Sequence, residues 1–214
     1  AVNTLIMTVL SLAIAIPFGL FTAVYLVEYA KRGNRFVELI RLTAETLSGI
    51  PSIVYGLFGL LFFVTYLGWG YSLIAGAATL SIMILPLIMR TTEEALKSVP
   101  DTYREASFGL GAGRLRTIFR IVLPAAVPGI LAGVILAVGR IVGETAALIY
   151  TAGTVAQMPE SIMSSGRTLA LHMYTLSSEG LHTNEAYATA VVLLLLVLGI
   201  NTVSAMIAKR VTKI

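Results

Sequence analysis

Residues 5–27, 46–89, 121–139 and 186–208 carry no charge, and shorter polar, largely basic segments separate them. A helix needs about 20 apolar residues to cross roughly 30 Å of hydrocarbon. Three of these runs suit one crossing each. The second, 44 residues long, is too long for one and suits two. Gly68-Trp69-Gly70-Tyr71 lies within it, where turn-forming glycines meet aromatic residues favoured at a membrane interface. The pattern predicts an all-α membrane protein with five spans, over about 3–28, 49–68, 71–90, 125–150 and 186–208. Pro17 is expected to bend the first span without ending it, and Pro51 to start the second. Gly56 and Gly59 leave room for close packing on that span. Pro86 falls near the inner end of the third, and Pro124 and Pro128 open the fourth. A short amphipathic helix is predicted over 35–47, where Arg41 and Glu45 lie one turn apart and can pair. Residues 91–124 form a polar loop, and 151–184 an outer segment too polar and too broken for a span.

Composition agrees: the 214 residues are 57% hydrophobic and 12% charged, against about a quarter charged in ordinary soluble domains. Thirteen of the fifteen basic residues fall on one side of the predicted spans, all but Arg140 and Arg167. By the positive-inside rule that side is cytoplasmic, which puts the C-terminus inside and Ala1 outside. Ala1 precedes the first span closely and no signal-peptide pattern is visible, and an outside Ala1 is consistent with a lost first helix that began inside. The pI of 9.5 reflects this membrane bias, so lipid is an expected partner and nucleic acid is not. With no cysteine, disulfides and thiolate metal sites are excluded. His172 and His182 stand ten apart without a ligand cluster, and no metal is expected.

Two places could carry chemistry. In the polar loop, Asp101 reads as a helix N-cap, with Glu105 near the favourable end of the dipole. Gly109, Gly111 and Gly113 then demand a sharp turn before a helix resumes over 114–122. Such a helix–turn–helix is a rigid knob, with Tyr103, Ala106 and Phe108 placed to fill a partner's groove and Arg104 and Arg114 to ring it. The plainer reading is a solvated loop whose charges set topology. The second place is the fourth span, where Arg140 and Glu144 lie one helical turn apart. An arginine near the bilayer centre costs about 2.5–3.5 kcal/mol on insertion scales, and such charges face a bundle interior or a water-filled path. A guanidinium fork suits a tetrahedral oxyanion, with Glu144 limiting the grip; a permanently closed pair joining helices is the other reading. Arg90 and Glu93 form a lesser pair near the inner end of the third span, where an arginine is ordinarily a snorkelling anchor. Arg167 reads as a solvated outer charge or a contact for an external protein. Gly129/Gly133 and Gly139/Gly143 make two G-x-x-x-G spacings, suited to tight packing within the bundle or to a subunit interface. No G-x-x-x-x-G-K-[ST] occurs, so this chain cannot cradle a nucleotide in a P-loop.

Glu105-Ala106-Ser107-Phe108-Gly109-Leu110-Gly111, followed by Ile121-Val122-Leu123-Pro124, resembles the EAA loop of ABC importer permeases, E-A-A-x3-G-x9-I-x-L-P, with Ser107 for the second alanine. Ile50-Pro51-Ser52-Ile53-Val54-Tyr55-Gly56-Leu57, Arg90-Thr91-Thr92-Glu93 and Gly139-Arg140-Ile141-Val142-Gly143-Glu144-Thr145-Ala146 resemble the permeases of the phosphate ABC importer. Asn184-Glu185-Ala186-Tyr187-Ala188-Thr189 favours the PstA kind over its PstC partner. The resemblance implies a MetI-like type I importer transmembrane domain with six spans, five of them visible. It implies a PstC-like second permease, a PstB-like ATPase dimer and a PstS-like external phosphate-binding protein. Tyr103, Arg104, Glu105, Ala106, Ser107, Phe108 and Gly111 would then meet the ATPase, and Arg140, Glu144, Arg90 and Glu93 would line the phosphate path. ATP and Mg would sit at the ATPase, and this chain would bind no cofactor and be no enzyme. Rival readings are an importer permease for another oxyanion or nutrient, and an ion-coupled transporter or channel. The last expects inverted repeats and no docking loop. A membrane-embedded enzyme lacks a supporting His or Asp cluster.

Overall fold

The computed structural model describes residues 1–31, 33–180 and 182–212, with side chains as far as Met206. Among the basic residues assigned above to the inner side, Arg32 and Lys213 lie outside the described residues, as do the side chains of Lys209 and Arg210. The described residues form helices joined by turns and loops, without strands. In chain order these are α1 (Val2–Tyr29), α2 (Arg35–Ser48), α3 (Ser52–Tyr66), α4 (Leu73–Lys97), α5 (Asp101–Gly109), α6 (Arg114–Gly143), α7 (Ala146–Ile149), α8 (Leu169–Glu179) and α9 (Thr183–Thr212).

Helices α1, α4, α6 and α9 are each long and apolar enough to cross a membrane. The span expected over 49–68 differs. Helix α3 has 15 residues, about 22 Å at 1.5 Å per residue, short of a bilayer core on its own. It reaches span length only together with α2, from which it is bent by 102°. Pro51 makes the bend: its extended backbone (ψ 142°) breaks the helix at the residue before Ser52. Two other boundaries move. Helix α4 runs on to Lys97, so 91–97 are helical, and α6 is continuous from Arg114, so 114–124 belong to the fourth long helix. Pro17 and Pro86 sit inside α1 and α4 without ending them.

Helix α4 is the axis of the bundle, packed against α1 on one side and α6 on the other. Water is absent from a bilayer core, so helices gain by close approach of small residues and by interhelical hydrogen bonds. Gly19 of α1 seats on Ile88, and Gly129 and Gly133 of α6 seat on Ala95 and Thr91. Ser81 donates to the Ser11 carbonyl at 3.0 Å. Gly139 and Gly143 meet no atom of another described element, so only the first G-x-x-x-G spacing is used within this chain. Beyond Ala186, no described residue in the apolar stretch of α9 is fully buried. Two cores result. One gathers Met7, Leu80, Ile84, Ile141, Leu148 and Leu171; the other, nearer α5, gathers Leu26, Met89, Leu96, Ile118 and Val122.

The outer segment folds back onto the start of α4. The first amides of a helix have no partner within it. Here Ser72, Leu73 and Ile74 donate to the carbonyls of Thr151, Ser164 and Ile162, and the Ser72 hydroxyl accepts from Ala75. Three helices open into π turns, at Tyr25–Tyr29 of α1, Leu60–Tyr66 of α3 and Ile118–Val122 of α6.

Candidate functional site

The knob is built as helix–turn–helix, with changes of role among its residues. Pro100, not Asp101, holds the N-cap position; Asp101 is the first helical residue and gives no side-chain cap. Gly111 alone of the three glycines takes a left-handed backbone, φ +79°. It closes a Schellman turn: Ala112 N–H donates to the Ser107 carbonyl at 3.1 Å and Gly111 N–H to that of Phe108 at 2.9 Å. A side chain at this φ is strained, which fixes glycine there.

Tyr103, Glu105, Ala106, Phe108 and Leu110 face outward, with Leu110 89% exposed. Arg104 and Ser107 do not. The expectation that Arg104 rings the knob is corrected: its guanidinium turns inward, to Glu28 at the end of α1. Nη2 and Nε donate to Glu28 Oε1 at 2.7 and 3.1 Å, and further N–H groups to the carbonyls of Leu96 (3.0 Å) and Val99 (2.9 Å) and to Asp101 Oδ1 (3.2 Å). Arg114 is exposed, with its guanidinium over the Tyr29 ring, 4.9 Å from the centroid. The Ser107 hydroxyl is buried against Thr117 Oγ1 at 2.7 Å, and Thr117 also donates to the Gly113 carbonyl. The departure from alanine at this position therefore pins α5 to α6.

Arg140 and Glu144 are not both inside one helix, as expected above, and they do not pair. Helix α6 ends at Gly143; Glu144 is extended (ψ 132°), and its carboxylate accepts the Ala147 N–H at 3.1 Å, capping α7. Among the described residues Arg140 has no ion-pair partner. Its depth follows from packing. Gly133 seats on Thr91, and Arg140 lies seven residues further along α6, about 10 Å, level with the middle of α4. It is partly buried there, within electrostatic reach of Tyr55. Tyr55 itself is buried and donates to the Leu47 carbonyl at 2.7 Å across the α2–α3 bend. The neighbouring Gly56 packs directly on the Ala147 backbone. The stretch 50–57 thus packs against Ala147 and Tyr150, just beyond 139–146, with Arg140 within electrostatic reach of Tyr55.

The Arg90–Glu93 pairing is corrected as well. Glu93 is buried and its Oε1 lies 2.7 Å from both Arg41 Nη2 and Lys97 Nζ, while exposed Arg90 faces Glu94 at 3.6 Å. Arg41 therefore bridges α2 to α4 instead of pairing with Glu45. A cavity of about 270 Å³ opens between these helices, lined by Arg41, Glu45, Arg90, Glu93, Glu94 and Lys97. Its three bases and three acids balance, so it has no excess charge to hold an anion. Glu28, Arg41, Tyr55 and Thr117 were not anticipated. Glu28 alone left a sign, as an acid at the end of a charge-free run and just ahead of the basic cluster. The Arg167 carbonyl accepts from Asn3 of α1 at 3.2 Å, and with His172 the residue lines a cavity at the end away from α5.

Residues 15–213 match the family described as "Binding-protein-dependent transport system inner membrane component". The "Probable ABC transporter permease protein YqgI" of Bacillus subtilis (strain 168) is 39% identical over 192 residues, 84% of this chain and 65% of the relative. "Phosphate transport system permease protein PstA 1" of Mycobacterium tuberculosis (strain CDC 1551 / Oshkosh) is 37% identical over 208 residues, 96% of this chain and 68% of the relative. The chain thus spans about two thirds of the length of these curated relatives. Among solved structures, the MetNI methionine ABC transporter in an inward facing conformation superposes with a TM-score of 0.74, covering 99% of this chain and 92% of that one at 21% identity. A bacterial ABC transporter involved in the import of alginate gives 0.73, covering 98% and 78% at 17% identity. At such identities the likeness speaks for the fold. Given a family match from the middle of α1 through α9 and relatives well above thirty per cent identity, this chain belongs to the inner membrane components of binding-protein-dependent transport systems, multi-pass proteins with the MetI-type ABC transporter fold.

Proposed function

We propose that this chain is one permease subunit of an ATP-driven importer that moves inorganic phosphate inward by alternating access. The observation that carries the cargo is Arg140, level with the middle of α4 and without a carboxylate partner among the described residues. An unpaired guanidinium at that depth is costly unless it faces water or an anion. Its planar donors match two oxygens of a tetrahedral oxyanion. The permanently closed Arg140–Glu144 pair, which would have explained both charges structurally, is not formed. The names of the PstA relatives support phosphate over other oxyanions. Arg90 and Glu93 are better read as an anchor and a tether between helices than as phosphate contacts.

The exposed side chains of α5, with Leu110, form the surface for an ATPase dimer of the PstB kind, which supplies ATP hydrolysis with its Mg. The α5 end faces the cytoplasm, with the C-terminus, because the basic residues gather there. A PstC-like second permease completes the path, and a PstS-like binding protein delivers phosphate from outside.

Reconstitution with these partners tests the proposal. ATP-dependent uptake of labelled phosphate, resistant to excess sulfate, is expected. Arg140→Gln should abolish uptake while the complex still assembles. Full uptake by that variant would refute the anion path, and uptake driven by an ion gradient without ATP would favour the ion-coupled class.

A further inference from the structure

Helix α5 has almost no apolar root. Ser107 is its one buried residue, and the chain enters and leaves it through the short turns 98–100 and 110–113. Polar contacts therefore attach it. One is the Ser107–Thr117 hydroxyl pair to α6. The other is Arg104, whose side chain is 14% exposed against an 8% exposed Glu28. All five of its guanidinium N–H groups are engaged, two by the carboxylate at the end of α1, one by the Leu96 carbonyl in the last turn of α4, one by the Val99 carbonyl just after it and one by Asp101. A charge-assisted hydrogen bond is short and directional, and a buried one is costly to break because each partner would stay desolvated.

We propose that Arg104 is a positioning residue for energy coupling: through Glu28 and the Leu96 and Val99 carbonyls it makes α5 move as one body with the inner ends of α1 and α4. Displacement of α5 then reaches the spans through side-chain contact, and the short turns only bound it. This rests on the functional reading above, in which α5 meets an ATPase. Lysine replaces arginine only in part here, since a single ammonium can keep the carboxylate but not reach both carbonyls at once.

Removing Arg104 alone strands the buried Glu28 carboxylate and risks the fold. The test therefore uses the double variant Arg104→Met with Glu28→Met, which replaces the ion pair by apolar side chains of similar length. Reconstituted with its partners, it should copurify with the ATPase and melt near the wild-type temperature. Phosphate imported per ATP hydrolysed should fall about tenfold, within the usual range of coupling between sites. Arg104→Lys should fall between the two. A merely structural role would lower yield or melting temperature and leave that ratio unchanged. A double variant that imports as much phosphate per ATP as wild type overturns the inference and leaves the functional reading standing. A wild-type complex with no ATP-driven uptake overturns both.

Discussion

Gly56→Ala adds one methyl group where α3 meets the backbone of α7. The new Cβ would lie 2.9 Å from Ala147 Cα, 3.1 Å from its carbonyl oxygen and 3.1 Å from Tyr150 Cδ2. Carbon atoms in contact prefer about 3.5–4.0 Å, so the overlap is roughly half an ångström or more, and two of the three neighbours are backbone. Overpacking of this kind costs about 1–3 kcal/mol. Helix propensity works the other way, since alanine gains up to about 1 kcal/mol over glycine in a helix interior. Overlap wins, leaving a net loss of about 1–2 kcal/mol, or about 2–8 °C in melting temperature for a chain of this size. Gly139→Ala separates the two effects, because nothing lies within 4 Å of its added Cβ. The assay is thermal melting of the purified complex alongside ATP-dependent phosphate uptake. Gly56→Ala should melt lower and transport less, because α7 follows directly on the break beside Arg140; Gly139→Ala should melt at or above wild type. A Gly56→Ala protein as stable and active as its parent would show that α3 does not seat on Ala147.

Gly111→Ala forces a side chain into a left-handed backbone at a cost of about 1–2 kcal/mol, so less ATPase should copurify. Gly109→Ala, at ordinary φ, should leave copurification unchanged, and equal yields from the two would discredit the Schellman turn. Ser107→Ala loses the 2.7 Å hydroxyl pair while Thr117 keeps its bond to Gly113, costing about 1 kcal/mol in melting experiments. Docking should survive; weaker docking at unchanged stability would mean that Ser107 faces the partner. His172, on α8 outside the spans, is held below its ordinary value of 6.5 by burial and then by the Arg167 charge. A depressed histidine contributes stability that is present above its unfolded value and lost as pH falls through the folded one. Acidification from about pH 7 to 5 should therefore lower the melting temperature more in wild type than in His172→Gln. Parallel curves would exclude this group.

Much of the architecture is written in charge-free runs, because a bilayer demands length and apolarity from every crossing. The helix start at Pro51 and the turn at Gly111 were legible too, since each follows from local backbone chemistry, although the 102° bend that Pro51 makes between α2 and α3 was not. Partners far apart in sequence were not. Arg41 could be matched only with Glu45, one turn away, whereas the fold brings it Glu93; Arg104 finds Glu28 across 76 positions. The break at Glu144 was hidden for another reason. Residues 145–150 continue uncharged after it, and no proline or glycine occurs among them to mark the stop. Ser107 looked like a neutral exchange for alanine because its hydroxyl gains meaning only once α6 packs beside it.

The π turns set a rotational phase. Such a turn holds more residues than an α turn, so one residue more or less there rotates everything beyond it by roughly 100° about the helix axis. Glu28 and Tyr29, which receive Arg104 and Arg114, both lie in the π turn that ends α1, and Thr117, which receives Ser107, directly precedes the π turn of α6. The azimuth of the knob is thereby indexed at two helices. Deleting one residue from either π turn would restore ordinary helix and keep the membrane length, yet swing these receiving groups out of alignment with α5. Tolerance to single-residue deletion should accordingly be lowest here, where hydropathy alone would call it harmless.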